Sequence, residues 1–121
     1  MATVRYIVTD VQQAVDFYTR SFDFKVHQQF GPNMAILKLG DLTLWLAGPN
    51  ASASRPMPDG RKPEPGGWNR FVIEVSDLAA TVAKLKAQGT RFRNDIVAGP
   101  GGQQILLEDP FGNVVELFQP A

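Results

Sequence analysis

The chain repeats one order of predicted elements, and this repeat limits the folds that it can adopt. In each half an apolar strand segment leads to an aspartate that can cap a helix, and three further strand segments follow that helix. Val8-Thr9-Asp10-Val11 aligns with Val75-Ser76-Asp77-Leu78, 67 positions further on (8 to 75). Two copies of a strand–helix–three-strand unit are the simplest account of this order.

A Pro-rich segment separates the two predicted units. Residues 49–67 contain five prolines together with Gly and Ser, which is typical of a loop or linker rather than a packed element. We therefore predict one domain over residues 1–121, with a first module at 1–48, a linker at 49–67 and a second module at 68–121. In the second module, strands are expected near 91–97, 103–108 and 113–119, with Arg91 and Arg93 on an exposed strand.

Composition excludes several classes of protein. The chain has 121 residues with 44% apolar content, which is enough for a hydrophobic core. Lys plus Arg equals Asp plus Glu at 12 each, so we expect no nucleic-acid or membrane partner. No Cys is present, and neither a signal peptide nor a membrane-length apolar run is recognisable. We expect a soluble cytoplasmic protein.

The end of the chain places a carboxylate inside an apolar strand. The segment 109–113 has the Pro and Gly of a turn, and the run from Val114 to Phe118 is otherwise apolar. Glu116 lies in the middle of this run. A buried carboxylate without a partner is too costly, so Glu116 must pair with a cation, bind a metal or be protonated.

Two motifs resemble those of one superfamily. Val8-Thr9-Asp10 with Ala14-Val15-Asp16-Phe17-Tyr18, and the ending Asp109-Pro110-Phe111-Gly112-Asn113-Val114-Val115-Glu116, are similar to the vicinal oxygen chelate superfamily. That superfamily includes glyoxalase I, extradiol dioxygenases, and fosfomycin and bleomycin resistance proteins. The resemblance implies an α+β fold with two βαβββ modules, whose curved mixed sheets surround a cavity, usually in a homodimer. It does not specify the function, because this fold supports several chemistries.

The resemblance also implies where a metal would be held. Most enzymes of the superfamily use one side chain from the first strand and one from the last strand of each module. The last-strand position of the second module falls on Glu116. Aligning Gly40 with Gly112 puts the corresponding position of the first module at Leu44.

The first-strand positions fall on Thr3 and Arg70, seven residues before each helix-capping aspartate. Leu and Thr are unsuitable ligands for Zn, Fe, Ni or Mn, and Arg carries a permanent positive charge. We therefore expect no metal ligands and no cofactor, with a divalent metal held weakly at Glu116 as the open alternative. In the metal's place, we expect Arg70 to pair with Glu116.

Strand alternation predicts which side chains face the cavity. Positions of the same parity as Thr3, Leu44, Arg70 and Glu116 combine charged and apolar residues, whereas the opposite parity is uniformly apolar and suits packing under the helices. The predicted ligand-binding residues are Arg5, Leu44, Trp68, Glu74 and Phe118, and the candidate catalytic residues are Glu116 and Arg70.

Three functions are compatible with this pattern. We favour a metal-independent protein of the bleomycin-resistance kind, which holds a small molecule in the cavity between the modules or at the dimer groove. The alternative is a glyoxalase-like lyase or isomerase, or a dioxygenase, that is metal-dependent or uses Glu116 as base and Arg70 as anion clamp. A regulatory module is the third, and the Arg70–Glu116 pair has an equally simple interpretation as a structural ion pair.

Overall fold

The computed structural model describes residues 2–121 and divides the chain into two units, with the boundary between Gly66 and Gly67. The Pro-rich segment up to Gly66 belongs to the first unit by its contacts. No helix in the described residues is long and apolar enough to cross a membrane.

The first unit contains one helix and a four-stranded mixed sheet. Its elements are β1 Ala2–Ile7, α1 Val11–Ser21, β2 Lys25–Phe30, β3 Met34–Leu39 and β4 Leu42–Ala47, followed by a 3₁₀ turn at Ser52–Ser54. The strand order is β1-β4-β3-β2, with β1 and β4 parallel and the other pairs antiparallel.

The second unit repeats this topology. Its elements are β5 Arg70–Glu74, α2 Leu78–Ala87, β6 Arg91–Phe92, β7 Val97–Gly99, β8 Gly102–Glu108 and β9 Val114–Pro120. The order is β5-β9-β8-β6, with β7 also paired to β8 and with β5 and β9 parallel. The α+β class with two mixed sheets is confirmed.

The strand predicted over 91–97 is divided into β6 and β7. Between them, the Asn94 side-chain oxygen Oδ1 accepts from the backbone N–H of Leu106 at 2.9 Å, so a side chain takes the place of a strand carbonyl. Side chains of Asn readily compete with strand pairing in this way.

Both helices begin at the predicted aspartates. Asp10 accepts from the N–H of Gln13, and Asp77 accepts from the N–H of Ala80, each at 3.0 Å. The N-terminus of α2 receives a second acceptor from the last strand, because Gln119 Oε1 accepts from the N–H of Leu78 at 2.7 Å. This bond ties α2 to β9, against which it packs.

The turn before β9 is held by one buried carboxylate. Asp109 is 1% exposed, and its Oδ1 accepts from the N–H groups of Phe111 and Asn113 at 2.9 Å each. Its Oδ2 accepts from the Asn113 side-chain amide at 2.9 Å. Because this turn fixes where β9 begins, it also fixes which face of the sheet Glu116 occupies.

The loop after β4 packs tightly against α1. A Cβ atom on Gly48 would lie 2.8 Å from Val11 Cγ2 and 3.1 Å from the carbonyl oxygen of Pro32. The Gly48 N–H donates to the Asn33 carbonyl at 2.9 Å, and its own carbonyl accepts from the Ser54 hydroxyl at 2.7 Å. Only glycine fits this position without a shift of the loop.

Replacing Gly48 with Ala should lower the free energy of unfolding by about 1–3 kcal/mol, because the added methyl group must displace Val11 or the loop. Urea unfolding of both proteins measures this difference. Gly99→Ala is the matched control, since nothing lies within 4 Å of the added atom, and it should change stability by less than about 0.5 kcal/mol. Equal losses in the two variants would show that the close approach at Gly48 is not the cause.

Candidate functional site

Each sheet has one face against its helix and one face turned away from it, which we call the open face. In the first sheet, Arg5 is directly opposite Trp45, and Trp45 is opposite Ile36, so these three residues share the open face. The other face carries Tyr6 and Leu46, which are buried on the side of α1.

The prediction that Leu44 faces the cavity is wrong. Leu44 is opposite Val4 in the register of β1 and β4, is 0% exposed, and lies on the helix side of the sheet. Its neighbour Trp45 takes the open face instead.

The error comes from the turns that were aligned. The turn between β3 and β4 has two residues, Gly40 and Asp41, whereas the turn between β8 and β9 spans residues 109–113. Gly40 and Gly112 therefore do not correspond. Thr3 pairs with Thr43 and Arg70 pairs with Val114, which separates the last strands by 71 positions (43 to 114). A shift of one residue reverses every side chain of a strand, so the counterpart of Glu116 is Trp45.

The open face of the second sheet contains the predicted ion pair. Arg70 Nε donates to Glu116 Oε1 at 3.0 Å, and Arg70 Nη1 donates to the carbonyl of Trp68 at 3.2 Å. The side chains of Arg70 and Glu116 are 31% and 11% exposed. The predicted pairing is therefore confirmed, with a half-open arginine and a nearly buried carboxylate.

Two more predicted residues lie on the same face. Glu74 and Phe118 are opposite each other in the register of β5 and β9, one row beyond the row of Val72 and Glu116. Glu74 is exposed and Phe118 is partly buried. The structure thus brings Arg70, Glu74, Glu116 and Phe118 to one surface of the second unit, whereas Arg5 belongs to the open face of the first.

Trp68 lies just before β5 and is 68% exposed. The Arg93 guanidinium carbon is 4.5 Å from the centroid of its ring, which is a cation–π contact. Arg93 also donates to the carbonyl of Gly67 at 2.7 Å, so both the ring and the chain before it are held.

Arg93 is a residue whose role the sequence did not reveal. Its side chain is mostly buried, at 18% exposed, and does not lie in solvent as predicted. It donates to Glu108 Oε2 at 2.7 Å and to the Gly112 carbonyl at 3.1 Å. Its acceptors are far apart in the chain, so no local pattern marks this arginine. Arg91, by contrast, is exposed as predicted.

A pocket of about 370 Å³ opens in the first unit beside Arg5. It lies between the strand ends of the open face and the loop that follows β4. Its lining residues are Arg5, Phe30, Asn33, Met34, Ala47, Asn50, Ala51, Ser52 and Ala53. The guanidinium carbon of Arg5 is 4.7 Å from the centroid of the Trp45 ring.

Neither unit has a suitable pair of ligands at its two superfamily metal positions. With the corrected register, the first unit holds Thr3 and Trp45 at these positions, and the second unit holds Arg70 and Glu116. Residues 2–121 contain no group of three His, Asp or Glu side chains that could hold a metal ion. One carboxylate beside a guanidinium is not a donor set that Zn, Ni, Mn or Fe prefers.

Solved structures of other proteins have the same fold. No curated protein matches the sequence significantly. Among solved structures, lactoylglutathione lyase from Agrobacterium tumefaciens is 21% identical with a TM-score of 0.75, covering 98% of this chain and 92% of that chain. A member of the glyoxalase/bleomycin resistance protein/dioxygenase superfamily from Sphaerobacter thermophilus is 25% identical with a TM-score of 0.77, covering 98% and 95%.

A third solved structure is TnmS3, described as an antibiotic binding protein from Streptomyces sp. CB03234. It is 26% identical with a TM-score of 0.73, covering 98% of this chain and 93% of that chain. The family model described as Glyoxalase/Bleomycin resistance protein/Dioxygenase superfamily matches residues 1–117. The repeated units, the Asp109 turn and this match over nearly the whole chain agree, and the chain belongs to the glyoxalase/bleomycin resistance protein/dioxygenase superfamily.

Proposed function

We propose that this protein binds a small molecule without a metal ion. The observation that carries the proposal is the contact between Arg70 and Glu116, whose Nε and Oε1 atoms are 3.0 Å apart. The single carboxylate among the superfamily metal positions is thereby already neutralised by a permanent cation.

A divalent cation at Glu116 would meet two obstacles. It would lie next to the positive guanidinium of Arg70, where like charges repel strongly in a partly buried place. Within the second unit it would also find no imidazole or second carboxylate at the other superfamily metal position, which holds Arg70. The superfamily's metal-assisted chemistry therefore has no support in these residues.

The pocket beside Arg5 is the proposed binding site. The loop that forms one wall is held by the N–H of Ala51, which donates to the Gly48 carbonyl at 3.1 Å, and by the Ser54 hydroxyl, which donates to the same oxygen at 2.7 Å. A wall that is already ordered reduces the entropy that binding must remove. The volume of the pocket and its lining of polar and apolar residues suit a small organic ligand.

Similarity to TnmS3, an antibiotic binding protein by its description, agrees with a binding role. The enzyme interpretation has less support, because the Glu116 side chain is only 11% exposed and its Oε1 is engaged by Arg70, so it is poorly placed to take a proton from a substrate. The superfamily resemblance also leads us to propose that the protein is a cytoplasmic homodimer. Light scattering would measure the mass of the particle in solution.

The metal part of the proposal predicts little metal after reconstitution. Wild-type protein incubated with excess Zn²⁺, Ni²⁺, Mn²⁺ or Fe²⁺ and then desalted should retain far less than one ion per chain, as measured by elemental analysis. Arg70→His should increase zinc retention, because it places an imidazole beside Glu116. The control is Arg91→His, next to Glu108 on the same sheet but outside the superfamily metal positions, and it should produce no gain. About one ion per wild-type chain would overturn the proposal.

The ion pair predicts measurable coupling between its two residues. Glu116→Gln and Arg70→Gln should each lower the free energy of unfolding by about 1–3 kcal/mol. The double variant should lose less than the sum, with a coupling energy of about 1 kcal/mol, reduced by the exposure of Arg70. The exposed pair Arg61–Asp59 provides the control cycle, since its atoms are 2.8 Å apart and its side chains are 84% and 54% exposed.

That control cycle should give less than about 0.5 kcal/mol of coupling. If the Arg70–Glu116 cycle gave no more coupling energy than the control cycle, the two side chains would not form a stable ion pair in solution. The main support for metal-independent binding would then be lost.

The pocket predicts a ligand-dependent rise in melting temperature. A small-molecule library screened by thermal unfolding should contain compounds that stabilise the protein, by about 2.7 kcal/mol at 100 times the Kd. Ala53→Trp should abolish these shifts by filling the pocket. Ala83→Trp on the exposed side of α2 is the matched control and should preserve them. Shifts that survive Ala53→Trp would place binding elsewhere, and the absence of any stabilising compound would contradict a binding function.

A further inference from the structure

We infer that the pocket beside Arg5 takes an organic anion with an apolar or aromatic body, and that Arg5 binds its charged group. This inference rests on the proposed binding function and specifies the class of ligand. It concerns the first unit alone and is independent of the Arg70–Glu116 pair.

The charge of the pocket is the first argument. Arg5 is the one charged residue among those that line it. Within residues 2–121, carboxylates pair with Arg61, Arg70, Arg91 and Arg93, and none pairs with Arg5. A pocket with one unpaired guanidinium and no carboxylate favours an anion over a neutral or cationic ligand.

The orientation of Arg5 is the second argument. Its guanidinium lies 4.7 Å from the centroid of the Trp45 ring, directly opposite in the strand register. A cation–π contact does not use the N–H donors of a guanidinium, so they can still form two parallel bonds to a planar anion such as a carboxylate. The ring restricts the mobility of the side chain, which lowers the entropy lost on binding.

The other residues that line the pocket indicate the chemistry of the rest of the ligand. Phe30 is 47% exposed in the free protein, and the partly buried Met34, Ala51 and Ala53 add further apolar surface. An inorganic anion would leave this surface in water, whereas an apolar body would bury it. The amides of Asn33 and Asn50 supply polar groups that can orient such a molecule.

Calorimetric titration of the wild-type protein with 2-naphthoate, 2-naphthamide and inorganic phosphate tests the inference. The naphthoate should bind, and the amide and phosphate should each bind about 10- to 100-fold more weakly, which corresponds to the loss of one charge-assisted contact or of the apolar contact. Arg5→Gln should weaken naphthoate binding by the same factor and leave the amide unchanged. Arg5→Lys should have an intermediate effect, because it keeps the charge but loses the paired N–H edge.

The matched control is Arg20→Gln, an exposed arginine in the last turn of α1, which should change neither affinity. Equal binding of naphthoate and naphthamide, or unchanged naphthoate binding by Arg5→Gln, would overturn the inferred ligand class. Equal binding of phosphate would overturn the apolar part. Failure of all three probes would also overturn the inference, while a neutral or cationic compound found by thermal unfolding would leave the proposed binding function standing. No stabilising compound of any kind would overturn both.

Discussion

Pairing between the first and last strand of each unit decides which side chains can meet. In both units these two strands are parallel neighbours, so their open-face residues form one continuous row. The register of the last strand is therefore the decisive quantity. In the second unit it is set by Asp109, whose buried carboxylate accepts three hydrogen bonds within its own turn.

The resulting geometry engages Glu116, a possible metal ligand, in an ion pair. Glu116 is nearly buried, and a buried carboxylate requires a partner. Arg70 satisfies this need from the neighbouring strand, and Trp68 accepts a further hydrogen bond from the same guanidinium. The charge that would attract a divalent cation is neutralised by the protein itself. This neutralised charge is the basis of the proposal that the protein binds a small molecule without a metal ion.

In both units an arginine of the first strand lies on the open face, but the two arginines make different contacts. In the first unit the guanidinium of Arg5 makes a cation–π contact with Trp45, which occupies the position that corresponds to Glu116. In the second unit Arg70 pairs with Glu116 itself. The first unit therefore retains a guanidinium without a carboxylate partner beside a pocket, whereas the guanidinium of the second unit is neutralised. This difference is the reason why we place the inferred anion site in the first unit rather than in the second.

Local sequence determined the repeat, both helix starts, the α+β class and the need for a partner at Glu116. Capping aspartates, apolar periodicity and turn residues act over a few positions, so they can be read directly from the chain. The pairing with Arg70 also followed, because the strand order of the superfamily makes these positions neighbours. Tertiary structure decided the rest. Trp45 rather than Leu44 lies on the open face, because two turns of different length shift the register by one residue. The role of Arg93 and the pocket beside Arg5 depend on groups far apart in the sequence, which only the folded chain brings together.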